Sequence, residues 1–190
     1  FRFLDKENLH AAINKDGTIW FTSSGNGTAR YSPNSFYTFD KKDGLPDKLI
    51  NWIFGNKNGE VFLTIEHQNL VRVSDEKVEN ISIPNIKEKY WTNNFLDLQS
   101  QGGDFWLSST NGLYRYPKVS NFLDLNRTAP KKTYTIADGF FSNNVTSLFE
   151  DSRGDIWISA LTTDNSLIRW EKSTEKIYRY TFEYGLPKSS

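Results

Sequence analysis

The segment Ser152-Arg153-Gly154-Asp155-Ile156-Trp157-Ile158-Ser159 decides the fold, because the chain repeats it. The related stretches are Lys15-Asp16-Gly17-Thr18-Ile19-Trp20-Phe21-Thr22, Lys57-Asn58-Gly59-Glu60-Val61-Phe62-Leu63-Thr64 and Gln101-Gly102-Gly103-Asp104-Phe105-Trp106-Leu107-Ser108. In each, a glycine precedes an aromatic residue by three positions. The glycines at 17, 59, 103 and 154 recur at intervals of 42, 44 and 51 residues, which is the period of a propeller blade rather than of a helical repeat.

Outward from that segment the periodicity stays that of strands. Val145-Thr146-Ser147-Leu148-Phe149 runs into a turn at Asp151–Gly154, then Ile156–Ser159, a loop at 162–165, Leu167–Trp170, a turn at 172–175 and Lys176–Thr181. These are four short strands joined by hairpins, with Gly, Asn and Asp where a positive φ is needed. Between repeats the connections are also alike: Tyr37-Thr38-Phe39 leads to Asp43-Gly44-Leu45-Pro46, Tyr134-Thr135-Ile136 to Asp138-Gly139-Phe140-Phe141, and Tyr180-Thr181-Phe182 to Tyr184-Gly185-Leu186-Pro187. One repeat makes one twisted antiparallel sheet that cannot bury both faces alone, so neighbouring sheets must stack. The expectation is an all-β propeller with about four four-stranded blades at 8–46, 47–93, 94–141 and 142–187, forming part of a larger propeller.

Composition agrees with strands and narrows the function. Of 190 residues, 15% are aromatic and 37% hydrophobic, enough for a core. Lys and Arg total 23 and Asp and Glu total 23, which argues against nucleic acid as a partner. With no cysteine there is no disulfide, zinc-thiolate site or thiol nucleophile. No apolar run approaches the roughly 18 residues of a membrane span, so a membrane would be reached only through segments outside this chain.

The order Asp-Gly-Leu-Pro, an apolar strand, a glycine turn, Trp-Ile-Ser/Thr and then Gly112-Leu113-Tyr114-Arg115-Tyr116 resembles the two-component regulator propeller repeat. The resemblance runs over nearly the whole chain. Phe62 replaces Trp in the second repeat, Asn69-Leu70-Val71-Arg72-Val73 replaces the Gly-Leu-Tyr-Arg-Tyr strand, and Ile83–Asn94 replaces the Asp-Gly-Leu-Pro connection. Such repeats form the extracytoplasmic input region of hybrid two-component histidine kinases, often ones responding to glycan fragments. The resemblance therefore implies a periplasmic or extracytoplasmic, non-catalytic ligand-sensing module without a cofactor. The alternative is a structural or protein-interaction scaffold, and a third reading is a lyase or glycosidase on the same fold.

The individual residues favour binding over chemistry. His10 and His67 are too far apart for a short metal motif, and neither a Gly-x-Ser-x-Gly nor a phosphate-binding glycine loop occurs. Pairs such as Asp40 with Asp43 and Asp151 with Asp155 fit turns. Trp20, Trp106 and Trp157 hold one place in successive repeats, which predicts packing between blades. The face built from the connections between blades and the loops joining second and third strands gathers Asn26, His67, Asn69, Asn111 and Asp164, and is where a ligand is expected. Trp52 is aligned with Ala11, Asp97 and Ser147, so a large ring stands where other repeats are small or polar; Tyr90 and Trp91 lie in the irregular connection. The candidate ligand contacts are thus Trp52, Trp91, Tyr90, Asn26, His67, Asn111 and Asp164, with an oligosaccharide or other small ligand as partner. Because the chain starts at Phe1-Arg2-Phe3 and stops just after Pro187, it begins and ends in blade phase. Its end blades are expected to meet the rest of a propeller or a second copy in a homodimer.

Overall fold

The computed structural model describes residues 9–13, 17–23, 27–32, 35–46, 50–55, 60–65, 69–73, 77–83, 86, 97–162 and 166–187. Among these residues sixteen strands form four antiparallel sheets, each with its strands adjacent in chain order. Blade 1 holds β1 (Leu9–Ile13), β2 (Ile19–Ser23), β3 (Gly27–Ser32) and β4 (Ser35–Phe39). Blade 2 holds β5 (Ile50–Gly55), β6 (Val61–Ile65), β7 (Asn69–Val73) and β8 (Val78–Ser82). Blade 3 holds β9 (Leu98–Gln99), β10 (Phe105–Ser109), β11 (Gly112–Tyr116) and β12 (Lys132–Tyr134), and blade 4 holds β13 (Val145–Glu150), β14 (Ile156–Ala160), β15 (Leu167–Trp170) and β16 (Ile177–Tyr180).

The described residues fall into two compact units, one containing blades 1 and 2 with residues 119–128, the other containing blades 3 and 4. In the first unit, β1 lies beside β5, so these are neighbouring first strands. Trp20, Phe39 and Leu45 of blade 1 are buried in one cluster with Ile53, Val61, Leu63, Val71 and Val73 of blade 2. The second unit repeats the plan: Trp106, Tyr134 and Phe140 of blade 3 meet Ile156, Ile158, Ile168 and Trp170 of blade 4. Burial of that apolar area holds the blades face to face, at about 25 cal/mol for each Å² removed from water. Trp20 and Trp106 are each 1% exposed, as their repeated place predicts. Trp157 differs: it is only half-buried, and its indole Nε1 donates to Asp151 at 3.1 Å.

The connections between blades are short 3-10 turns. Lys41–Asp43, Ile136–Asp138 and Phe182–Tyr184 each end on a glycine in the left-handed region, Gly44, Gly139 and Gly185. Asp40 and Asp43, and likewise Thr135 and Asp138, bond reciprocally across the first two turns as capping boxes, satisfying backbone donors that a turn this short leaves open.

Candidate functional site

In each blade the hairpin geometry separates two ends. The connection from the previous blade and the loop between second and third strands lie at one end; the turns between first and second and between third and fourth strands lie at the other. At the first end, Trp52 projects half-buried from β5 opposite Thr64. Strand pairing puts His10 opposite Thr22 and Ser147 opposite Ser159, so His10, not Ala11, shares the Trp52 position. His10, Trp52 and Ser147 each stand seven residues before the turn glycines 17, 59 and 154, whereas Ala11 stands six before; a bulge between Ile50 and Trp52, matched between Val145 and Ser147, shifts only the residues ahead of this position. His10 and Trp52 meet edge to face with centroids 4.7 Å apart, and burial lowers the His10 pKa so that the imidazole favours its neutral form. Asn111 is exposed in the β10–β11 loop, where its backbone N–H donates to Ser109 Oγ at 3.0 Å. Asn26, His67, Tyr90, Trp91 and Asp164 lie outside the described residues, as does the side chain of Asn69.

At the opposite end of the second unit, blades 3 and 4 leave a cavity of about 240 Å³ with Ser100, Asp104, Arg115, Lys131, Glu150 and Lys172 on its wall. Asp104 organises it. Its carboxylate accepts from Arg115 Nε at 2.7 Å, Lys131 Nζ at 2.9 Å and the Lys118 N–H at 3.1 Å. Burial opposes the charged form, but the hydrogen bonds from Lys131 and Arg115 outweigh it and hold the Asp104 pKa below the usual carboxylate range. Arg115 also bonds Glu175 at 2.6 Å and lies over the rings of Trp106 and Trp170, its centre 5.3 and 4.6 Å from their centroids. Glu150 accepts the Gln101 N–H at 2.8 Å, tying the first turn of blade 3 to blade 4.

This arrangement is a repeated device that the sequence reading passed over. Arg30, Arg72, Arg115 and Arg169 stand directly across from Trp20, Phe62, Trp106 and Trp157. The acid after the turn glycine reaches the arginine in three blades: Glu60 to Arg72 at 2.8 Å, Asp104 to Arg115 at 2.7 Å and Asp155 to Arg169 at 3.4 Å. Asp151 and Asp155 therefore part company. Asp151 accepts from the backbone of Arg153 and Asp155 within its turn, whereas Asp155 reaches across to Lys172 N at 3.0 Å. Such a network suits rigid support of a turn. Among the described residues no group of three His, Cys, Asp or Glu side chains could hold a metal, and no helix is long and apolar enough to cross a membrane.

The fold defines a class: a run of four-stranded propeller blades. Residues 139–161, the connection into blade 4 and its first strand pair, match the two component regulator propeller family, so the chain carries that repeat. The structure is similar to the extracellular domains of two hybrid two-component systems from B. thetaiotaomicron. One aligns with TM-score 0.69 and 18% identity over 96% of this chain and 24% of its own, the other with TM-score 0.68 and 15% identity over 93% and 26%. It is also similar to virginiamycin B lyase from Staphylococcus aureus, with TM-score 0.64 and 18% identity over 94% of this chain and 57% of the lyase. The chain thus spans about a quarter of the two-component structures, and at these identities the likeness establishes the propeller fold. No curated protein matches the sequence.

Proposed function

We propose that this chain is part of the extracytoplasmic sensing region of a bacterial hybrid two-component system, and that it binds a small ligand without transforming it. The observation that carries this reading is the regulator propeller repeat at 139–161 within a fold that superposes along 93–96% of its length on extracellular domains of such systems. The hydrogen-bonded state of Asp104, Asp151, Asp155 and Glu150 supports a binding role, because a general acid or base needs a carboxylate that can exchange its proton with substrate. The lyase neighbour shows that the fold alone admits catalysis.

The ligand face we assign is the one built by the interblade connections of the first unit, with Trp52 as its described member and an oligosaccharide as the first class to try. An aromatic ring beside a loop-rich rim offers the apolar face and the polar edge that a sugar ring uses. Calorimetric titration of the purified chain with a panel of neutral and acidic oligosaccharides tests it. A saturable heat reduced about tenfold in affinity by Trp52→Ala, with melting temperature retained, is expected. Unchanged affinity in that variant would remove Trp52 from the site, and the absence of saturable heat with every member of the panel would remove this ligand class.

A further inference from the structure

The cavity between blades 3 and 4 is lined by residues of the second unit alone, and the ligand face proposed above makes no use of it. Its inner wall is apolar: Ile156 is 0% exposed, Trp106 1% and Trp170 3%, with the two indoles edge to face at 4.8 Å. Its volume of about 240 Å³ falls below the roughly 300–1,000 Å³ of drug-sized ligand sites, so it admits only a small molecule.

The charges on the wall do not cancel. Arg115, Lys131 and Lys172 stand against Asp104 and Glu150, three bases to two acids. Asp104 is taken up by Arg115 Nε at 2.7 Å and Lys131 Nζ at 2.9 Å, and Arg115 has a second acid in Glu175, which lies off the wall and is 62% exposed. Glu150 accepts the Gln101 N–H at 2.8 Å. Lys172 is the base left over. Its backbone N–H serves Asp155, but its ammonium forms no ion pair or hydrogen bond among the described residues.

A glycine keeps that ammonium at the wall. The Lys172 side chain crosses Gly154 so closely that a Cβ on the glycine would lie 2.8 Å from the lysine Cδ and 2.9 Å from Nζ. Gly154 therefore serves twice, giving the turn its φ of 84° and leaving room for the lysine. Lys118 crosses Gly103 in the same way in blade 3, where a Cβ would meet its Cδ at 2.7 Å, but neither of those residues borders the cavity.

We propose that this cavity is a second binding site, for a small hydroxylated monocarboxylate of the sugar-acid class. One surplus positive charge answers one carboxylate, which Lys172 receives in a charge-assisted hydrogen bond. The Ser100 hydroxyl, also without a partner among the described residues, and the remaining ammonium proton of Lys131 suit hydroxyl groups; a purely hydrocarbon body would leave them unpaired. A more highly charged anion such as phosphate would meet Glu150 with only Lys172 to balance it. The assignment stands independently of any ligand at Trp52.

Titration of the isotope-labelled chain with glucuronate, followed at the tryptophan indole N–H resonances, tests the site, with glucose as the neutral counterpart of the same ring. Glucuronate should saturate at roughly millimolar concentration and move the Trp106 and Trp170 signals, and glucose should bind at least about tenfold more weakly. Lys172→Gln should lower glucuronate affinity about tenfold, towards that of glucose, whereas Lys118→Gln should leave it within about twofold. Both lysines are exposed, so neither change burdens the fold. Equal binding of the two sugars, full affinity in Lys172→Gln, or no saturation with glucuronate would overturn the proposal. So would inorganic phosphate competing as well as glucuronate does, which marks an unselective anion site. A titration that moves the Trp52 signal alone would overturn it too, placing the acid on the ligand face and leaving that reading intact.

Discussion

Asp104 shows how much one side chain can hold. Its carboxylate, 11% exposed, meets a 14% exposed arginine and a lysine, and also ties the turn before the second strand to the segment after the third. Removing its charge leaves the Arg115 guanidinium with Glu175 as its remaining acid at a buried position, so Asp104→Asn should cost about 2–4 kcal/mol in chemical denaturation. Lys131→Gln, on an exposed partner, should cost under about 1 kcal/mol. The pH dependence follows from the same bonds. The Asp104, Glu79 and Asp138 pKa values all lie below their ordinary positions, so the stability they contribute is complete above the unfolded carboxylate range near pH 4 and is lost as pH falls through the folded values. His10, also lowered, adds a loss on the acid side of its unfolded value of 6.5, because protonation must then occur against burial. Melting temperature measured from pH 8 to pH 3 should therefore fall in two stages, first near pH 6 and then below pH 4, and His10→Gln should abolish the first. None of these pairings was legible in the sequence. The acid and arginine are 12, 11 and 14 residues apart in blades 2, 3 and 4, a separation set by hairpin length, so no fixed spacing marks them.

At the scale of elements, turn chemistry was readable and turn length was informative in a way that went unused. The glycines after the interblade turns were visible as Asp-Gly or Tyr-Gly pairs, and they do occupy the left-handed region. The strands followed from alternation. The third interval of 51 residues, against 42 and 44, marked an insertion, and the structure places it between β11 and β12. Residues 117–131 there carry a 3-10 helix, Phe122–Arg127, whose Phe122 packs on Phe62 while Arg72 lies over its ring at 5.2 Å. It could not be placed from sequence because its anchors, Phe122 and Leu125, are two apolar residues without a repeat. Glycine gives a second test at this scale. Gly112, with φ of 124°, starts β11 so close to the neighbouring strand that a Cβ would sit 2.4 Å from the Tyr134 carbonyl oxygen, and Gly27 meets Phe39 in the same way at 2.5 Å. Gly17 has φ of 86° and nothing within 4 Å. Gly17→Ala should therefore cost about 1 kcal/mol of backbone strain, whereas Gly112→Ala should cost about 3 kcal/mol because the sheet must also part; equilibrium unfolding of both variants separates the two contributions.

For the whole molecule, repetition explains both what was legible and what chemistry the fold supports. A sequence that writes one blade four times reveals the architecture, since each copy confirms the others, but it hides departures such as Trp157, whose partial exposure depends on what lies against blade 4 rather than on its own repeat. The ligand face was legible only as a location. Of the residues assigned to it, Trp52 and Asn111 are described, and Trp52 meets His10 because both stand seven residues before their turn glycines on the neighbouring first strands β5 and β1. Catalysis would require a departure of another kind, a carboxylate released from its turn. Asp151, the acid most exposed to proposals of that sort, accepts from the Arg153 and Asp155 backbones, the Arg153 side chain and the Trp157 indole, and these bonds outweigh the desolvation that opposes them and hold its pKa below the usual carboxylate range. Protonating it would weaken the bonds that hold the Asp151–Gly154 turn. Oligosaccharide incubated with the protein should accordingly be recovered intact by mass spectrometry, and Asp151→Asn should lower the melting temperature while leaving calorimetric ligand affinity within about twofold. Depolymerised product that disappears in the Asp151→Asn variant, with its fold retained, would instead make this blade part of an active site.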